Sequence, residues 1–157
     1  MSFTDIIQII STLAACVAAT ATAFAILSNT KTSRKRATID LIMHQNQDAK
    51  LQEAITLVNR LARQKLPLIE HYKEDDIFRA AILKVLNAKE FTATGILSNV
   101  FDEEMYKQSQ FTVFTRDWKR LECVVYHIRE HVGRDTLYQD FEILATKWEN
   151  NPLTKRS

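Results

Sequence analysis

The side chains best suited to chemistry in this sequence lie in the run HIREH, where His127 and His131 accompany Glu130. Two histidines four residues apart on a helix can bind one metal ion, and a glutamate beside them can act as a base, as in the H-x-x-E-H zinc motif. Enzymes with this motif take a third ligand from a later helix, for which the chain offers Glu142 or Glu149. We keep a zinc enzyme as a hypothesis and expect ordinary surface or half-buried histidines.

A second group of polar residues falls among apolar positions of a predicted helix. Asn87 and Glu90 lie three residues apart on a helix otherwise lined by apolar side chains. Such a pair is either a polar recognition site or a hydrogen-bonded pair inside the core. We favour the core interpretation, in which the pair holds the Gly95 end of the helix against a neighbour such as Arg129.

The segment that must position everything else is the apolar run at residues 6–27, IIQIISTLAACVAATATAFAIL, which contains no charge and no proline. A helix of that length reaches about 33 Å, enough to cross a hydrocarbon core of about 30 Å. The alternative is a buried helix of a soluble protein, because the run includes glutamine, serine and threonine. We predict a membrane span, since these polar groups can bond within the helix and a basic segment follows directly.

Four cations follow the apolar run, whereas residues 1–5 contain no basic side chain. A cleavable secretory signal would carry its positive charges before the apolar stretch. Under the positive-inside rule the basic segment stays in the cytoplasm, which predicts an N-out, C-in single-pass anchor. We also expect the cations to contact anionic lipid, at about 1 kcal/mol per charge. They are Lys31, Arg34, Lys35 and Arg36.

Small residues recur every four positions along the predicted span. A stripe of this kind lets two helix backbones approach closely in a bilayer, so self-association of the chain is a reasonable hypothesis. The stripe consists of Ser11, Ala15, Ala19 and Ala23.

Composition predicts an all-α fold for the remainder. The 157 residues include two Gly and two Pro, far fewer turn residues than a sheet protein needs. The formal net charge is +2, which the four juxtamembrane cations more than account for, so nothing indicates a nucleic-acid partner. Cys16 lies in the middle of the predicted span and Cys123 in the other domain, so we expect no intramolecular disulfide between them, which fits a reducing compartment.

We therefore predict four regions: an anchor at 1–30, a basic segment at 31–36, a cytosolic domain of four or five helices at 37–150, and a flexible tail at 151–157. One long amphipathic helix, which could continue the span, is expected from Thr38 to a point before Pro67, and its polar middle, residues 44–50, could be a bend or a solvated stretch of helix. Residues 70–76 are expected to form a solvated acidic loop. Later helices should begin near Asp76, near Asp102 and at the Thr136/Gln139 capping box. The helix that begins near Asp102 should end at Gly133.

The order of these features resembles a known family. Its matching elements are RATIDL at 36–41, Leu86-Asn87 with Glu90, Gly95-Ile96, Asp102-Glu103, Trp118, Arg129 and LYQDFEILATKW at 137–148. On these residues the chain resembles short bacterial and bacteriophage proteins that are classed as a domain of unknown function. The resemblance implies an N-terminal membrane anchor, a helical cytosolic part and a bacterial or prophage source. It implies no activity.

The sequence predicts a non-enzymatic interaction protein of the bacterial inner membrane that forms homo-oligomers, contacts lipid, binds an unidentified protein partner and carries no cofactor. An alternative is a membrane-acting effector in phage exclusion or abortive infection, whose clustered spans would disturb the bilayer. A membrane-potential dye separates the two, because rapid depolarisation on expression favours the effector.

Overall fold

The computed structural model describes residues 3–154, apart from the side chains of residues 5–7, 9 and 10. Within that range it contains six α-helices and no strand, which confirms the all-α prediction. In chain order they are α1 (Phe3–Gln47), α2 (Ala49–Arg63), α3 (Leu68–Glu74), α4 (Asp76–Leu97), α5 (Glu103–Val132) and α6 (Gln139–Asn150). The first two residues of the predicted anchor, 1–2, and the end of the predicted tail, residues 155–157, lie outside the described part.

Helix α1 is a single helix of 45 residues that crosses the predicted region boundaries at residues 30 and 36 without a break. It ends at Gln47, and Asp48 begins α2 by accepting a hydrogen bond from the amide of Leu51 at 2.9 Å. This bond lowers the pKa of the Asp48 carboxyl group. The polar segment, for which a bend and a solvated stretch of helix were both open, is therefore a helix junction, and the long helix expected to end before Pro67 is divided in two.

Three of the predicted helix boundaries are confirmed. Asp75 begins α4 by accepting hydrogen bonds from two backbone amides, and Asp102 begins α5 by accepting one from Met105. Gly133 ends α5 with a positive φ of 68°, a conformation that glycine adopts without a steric penalty.

Two predicted connections are wrong. The expected acidic loop is mostly helix α3, which docks through the buried side chain of Leu68; packing stabilises a helix too short to show a periodic pattern. The Thr136/Gln139 capping box does not form. Helix α6 instead follows Tyr138, which has a φ of 57° and makes no side-chain cap hydrogen bond.

Helix α4 is central in the bundle and packs against α2, α3, α5 and α6. The core between α5 and α6 is aromatic: the ring centroid of Phe114 lies 4.8 Å from those of both Phe141 and Trp148. All three side chains are fully buried. The C-terminal part of α1 joins this bundle from Thr38 onward, so one helix carries both the apolar N-terminal segment and part of the domain.

Candidate functional site

The N-terminal part of α1 is an apolar surface that the described remainder of the chain leaves uncovered. The helical segment Ser11–Gln47 includes a stretch long and apolar enough to cross a membrane, and none of that stretch is buried. Val17 is 67% exposed and Phe24 is 76% exposed. The segment therefore contributes nothing to the core of the bundle. Removing large, exposed apolar side chains of this kind from water would lower the free energy of the protein.

The hydroxyl groups of this segment are satisfied inside the helix, as predicted. Thr12 donates to the carbonyl oxygen of Gln8 at 2.8 Å, and Thr22 donates to that of Ala18 at 2.8 Å. Ser11 also donates to Gln8, at 2.9 Å. A hydroxyl bonded to its own helix presents little unsatisfied polarity, so these residues are compatible with lipid.

The small-residue stripe and three large apolar side chains of α1 occupy different sides of the helix. With successive residues about 100° apart, the stripe of Ser11, Ala15, Ala19 and Ala23 covers about a third of the circumference. Larger apolar side chains lie on the opposite side, and both groups are exposed. The predicted pairing face is thus free of contacts with the described part of the chain. The larger side chains on the opposite side are Leu13, Val17 and Phe24, whereas Ile26, which is 61% exposed, falls on the side of the stripe, three residues after Ala23.

The basic segment follows on the same helix. Lys31, Lys35 and Arg36 are exposed, whereas Arg34 is half-buried. The guanidinium of Arg34 donates to the side-chain oxygen of Asn99 at 3.5 Å. One of the four predicted lipid-contacting cations is therefore partly engaged by the turn between α4 and α5, and three remain open to solvent.

After the basic segment in the chain, α1 is attached to the bundle by a buried threonine. Thr38 is fully buried; its hydroxyl donates to the carbonyl oxygen of Arg34 at 2.8 Å and accepts from the backbone amide of Asp102 at 2.8 Å. Asp102 is also the residue that begins α5. A single hydroxyl thus ties α1 to the start of another helix.

A second attachment lies two turns further along α1. The amide nitrogen of Gln45 donates to the hydroxyl of Thr92 at 2.9 Å, and its oxygen accepts from the hydroxyl of Tyr106 at 3.5 Å. Burial raises the pKa of Tyr106 to about 12, so this phenol stays protonated and remains a donor at neutral pH. Together with Thr38, these bonds hold α1 in one orientation relative to α4 and α5.

The polar residues expected in the core instead converge on the start of α6. Asn87 is exposed and accepts a hydrogen bond from the hydroxyl of Tyr138 at 3.0 Å. Glu90 is half-buried and accepts hydrogen bonds from the backbone amides of Asp140 at 3.3 Å and Phe141 at 2.8 Å. The prediction that Asn87 and Glu90 form a hydrogen-bonded pair inside the core is wrong. Asn87 is exposed, and the two residues bond to Tyr138 and to the first turn of α6 rather than to each other.

Glu90 takes this position because α6 lacks a cap of its own. The backbone of Tyr138 leaves the first amides of α6 without a local side-chain acceptor, and the carboxylate of Glu90 supplies one from α4. Burial raises the pKa of Glu90 even though the amides of Phe141 and Asp140 oppose the shift.

Arg129 holds the same helix start from α5. Its guanidinium donates to the carbonyl oxygen of Leu137 at 2.8 Å and to the carboxylate of Glu142 at 2.7 Å. Arg129 thus bonds to Leu137 and Glu142 at the start of α6, and the predicted contact of Arg129 with the Asn87/Glu90 pair stays a prediction. We interpret the network of Asn87, Glu90 and Arg129 as structural.

The two histidines of the HIREH run stack with ring centroids 6.2 Å apart. Glu142, one hypothesised third ligand, is bound to Arg129, and Glu149, the other, lies 3.4 Å from the ammonium of Lys119. Among the residues described, no group of three or more His, Cys, Asp or Glu side chains is placed to hold a metal ion.

A buried ion pair that sequence reasoning missed joins α4 to α5. The ammonium of Lys89 lies 2.8 Å from the carboxylate of Asp117, and the two side chains are only 11% and 13% exposed. The same ammonium lies 5.4 Å from the ring centroid of Phe114. A lysine among the buried positions Val85 and Ala93 of α4 was the signal that could have revealed it.

The pair borders a small cavity of about 70 Å³ enclosed by α1, α2, α4 and α5. A cavity of this size has room for several water molecules. Its polar lining includes both members of the ion pair and both Gln45 and Tyr106 of the second α1 attachment. That lining consists of Gln45, Asn46, Gln52, Lys89, Tyr106, Gln110 and Asp117.

Comparison with known proteins adds one finding. A family described as Domain of unknown function (DUF4760) matches residues 12–148, which cover most of the apolar segment and all but the end of the bundle. No curated protein and no solved structure matches the chain.

Proposed function

The chain belongs to the DUF4760 family, a domain of unknown function, and on that premise we propose that it is a single-pass inner-membrane protein with a cytosolic interaction domain. Its action is positional and non-enzymatic: α1 holds the bundle at the bilayer, pairs subunits and lets the bundle surface bind a protein partner. A bacterial or prophage source is part of the proposal.

The observation that carries the proposal is the continuity of α1. The same helix displays an uncovered apolar surface near its N-terminus and packs into the bundle from Thr38 onward. Apolar surface of this extent is covered either by lipid or by another protein. Because Thr38 and Gln45 fix α1 to α4 and α5, insertion of the span would also set the orientation of the bundle relative to the membrane.

The orientation follows from charge. Three exposed cations, Lys31, Lys35 and Arg36, stand between the apolar surface and the bundle. The positive-inside rule keeps such a segment in the cytoplasm, and with it the bundle. This supports an N-out, C-in arrangement.

We place subunit pairing on the small-residue stripe. Close approach of two helices through small side chains is favoured in lipid, and the opposite side carries the large residues that suit contact with acyl chains. Replacing Ala15 and Ala19 together by leucine should convert oligomers of the full chain in mild detergent to monomers, measured by light scattering after size exclusion. Replacing Ala21 by leucine adds the same side chain on a different side and should leave the oligomer intact.

Two results would contradict this account. If the oligomer persists in the Ala15→Leu, Ala19→Leu variant, the stripe is not the pairing surface. If alkaline extraction releases the unmodified protein from membranes, α1 is not a membrane anchor, because a helix that spans the bilayer resists this treatment.

A further inference from the structure

The turn between α4 and α5, residues 98–102, lies at the end of the bundle from which α1 emerges. Asn99 accepts a hydrogen bond from Arg34, and the amide of Asp102 donates to Thr38. The turn is therefore level with the basic segment of α1 and is the part of the bundle next to the predicted membrane surface.

Its distance from the hydrocarbon can be estimated from α1. Along a straight helix Arg34 lies about 10 Å beyond Leu27, the last residue of the predicted span. The headgroup layer occupies roughly 5–8 Å on each side of the hydrocarbon core, and transmembrane helices tilt by about 20° on average. A tilt toward the turn brings residues 98–102 into the headgroup layer.

The apex of the turn has side chains that suit this environment. Asn99 adopts a φ of 58°, which ends α4, and the next residue, Val100, is directed outward with 54% of its surface exposed. An exposed apolar side chain on a turn that contacts a basic helix segment has the composition of surfaces that lie in the membrane interface.

The acidic residues after the turn are mostly engaged within the protein. The carboxylate of Asp102 accepts from the amide of Met105 at 2.9 Å, and that of Glu103 lies 2.7 Å from the ammonium of Lys147. Glu104 is the exposed carboxylate here, so the cations of α1 determine the charge that this end presents to lipid.

We propose that the α4–α5 turn is a second membrane contact. Val100 enters the headgroup layer of the cytosolic leaflet, and Lys31 and Lys35 hold anionic lipid headgroups beside it. The bundle then rests against the bilayer, and its position is fixed at two points. This inference rests on the proposed function, because it requires α1 to be inserted.

Fluorescence depth measurements test the contact. The full chain, with Cys16→Ala and Cys123→Ala, receives one cysteine by Val100→Cys, Val132→Cys or Val17→Cys and an environment-sensitive label, and is placed in nanodiscs containing anionic lipid. Val132 is a matched control, because it is 52% exposed and ends α5, whose 30 residues extend about 45 Å from the turn. Headgroup-linked quenchers should quench the label at position 100 roughly twofold more than the label at position 132.

The label at position 17 separates two kinds of failure. If acyl-chain quenchers reach position 17 while positions 100 and 132 are quenched equally by headgroup quenchers, this inference is overturned and the anchor stands. If position 17 is not quenched, the proposed function is overturned as well. Stronger quenching at position 100 that falls when zwitterionic lipid replaces anionic lipid supports both the contact and its charge dependence.

Discussion

Replacing Lys89 by methionine is expected to destabilise the bundle by about 3 kcal/mol, within the range for a buried ion pair that loses one partner. The change leaves the carboxylate of Asp117 buried and without its main counter-ion. The effect should fall at the lower end of that range, because the guanidinium of Arg116 lies 3.4 Å from the same carboxylate. For a domain of this size we expect the midpoint of thermal unfolding to fall by roughly 10 °C.

The matched control removes both charges. Lys89→Met combined with Asp117→Leu replaces the pair by apolar groups of similar volume, and such exchanges are often neutral or stabilising. The free energy of unfolding of the double variant should therefore lie within about 1 kcal/mol of that of the unmodified protein. Circular dichroism of the full chain in mild detergent measures both. A single Lys89→Met variant as stable as the unmodified chain would show that the pair is not desolvated as the structure describes.

Replacing Gly95 by alanine is expected to destabilise the bundle by about 2 kcal/mol. A Cβ atom at this position would overlap the ring of Phe101, which lies directly on the helix backbone. Overpacking of this kind costs about 1–3 kcal/mol, and we expect the upper end because the overlap with the ring is large. The better helix propensity of alanine offsets about 1 kcal/mol of that cost. The carbonyl oxygen of Gly95 also accepts hydrogen bonds from the amides of Val100 and Phe101, so the strain acts on the α4–α5 turn.

Two comparisons identify the cause of this effect. Gly95→Ala combined with Phe101→Ala should show a favourable coupling energy in a double-mutant cycle, because the overlap disappears. Gly133→Ala is the contrasting glycine variant: nothing lies within 4 Å of the added Cβ atom, and the positive φ alone makes it unfavourable by about 1–2 kcal/mol. Additive effects of the Gly95 and Phe101 changes would contradict the contact.

The fold was predictable where local chemistry determined it. Asp75 and Asp102 begin helices because their carboxylates accept hydrogen bonds from the first free amides, and Gly133 ends one because it tolerates a positive φ. The apolar segment was evident from length and composition alone. Each of these features depends on residues that are close in the sequence.

The features that were missed depend on distant residues. The start of α6 resembled a capping box, but Glu90, about fifty residues earlier, provides the acceptor. The Lys89–Asp117 pair and the buried Thr38 each join two helices, and a single sequence does not say which helices are neighbours. For the same reason the sequence revealed the basic segment but not the turn that lies beside it.

The central claim, that α1 is a membrane anchor with the bundle in the cytosol, is tested most directly by cysteine labelling. Ser2→Cys and Ser157→Cys variants, each with Cys16→Ala and Cys123→Ala, are treated with a membrane-impermeant maleimide in intact and in lysed cells. We predict that position 2 is labelled in intact cells and that position 157 is labelled only after lysis. Labelling of position 157 in intact cells would reverse the orientation, and labelling of neither position, with the protein in the soluble fraction, would contradict the anchor.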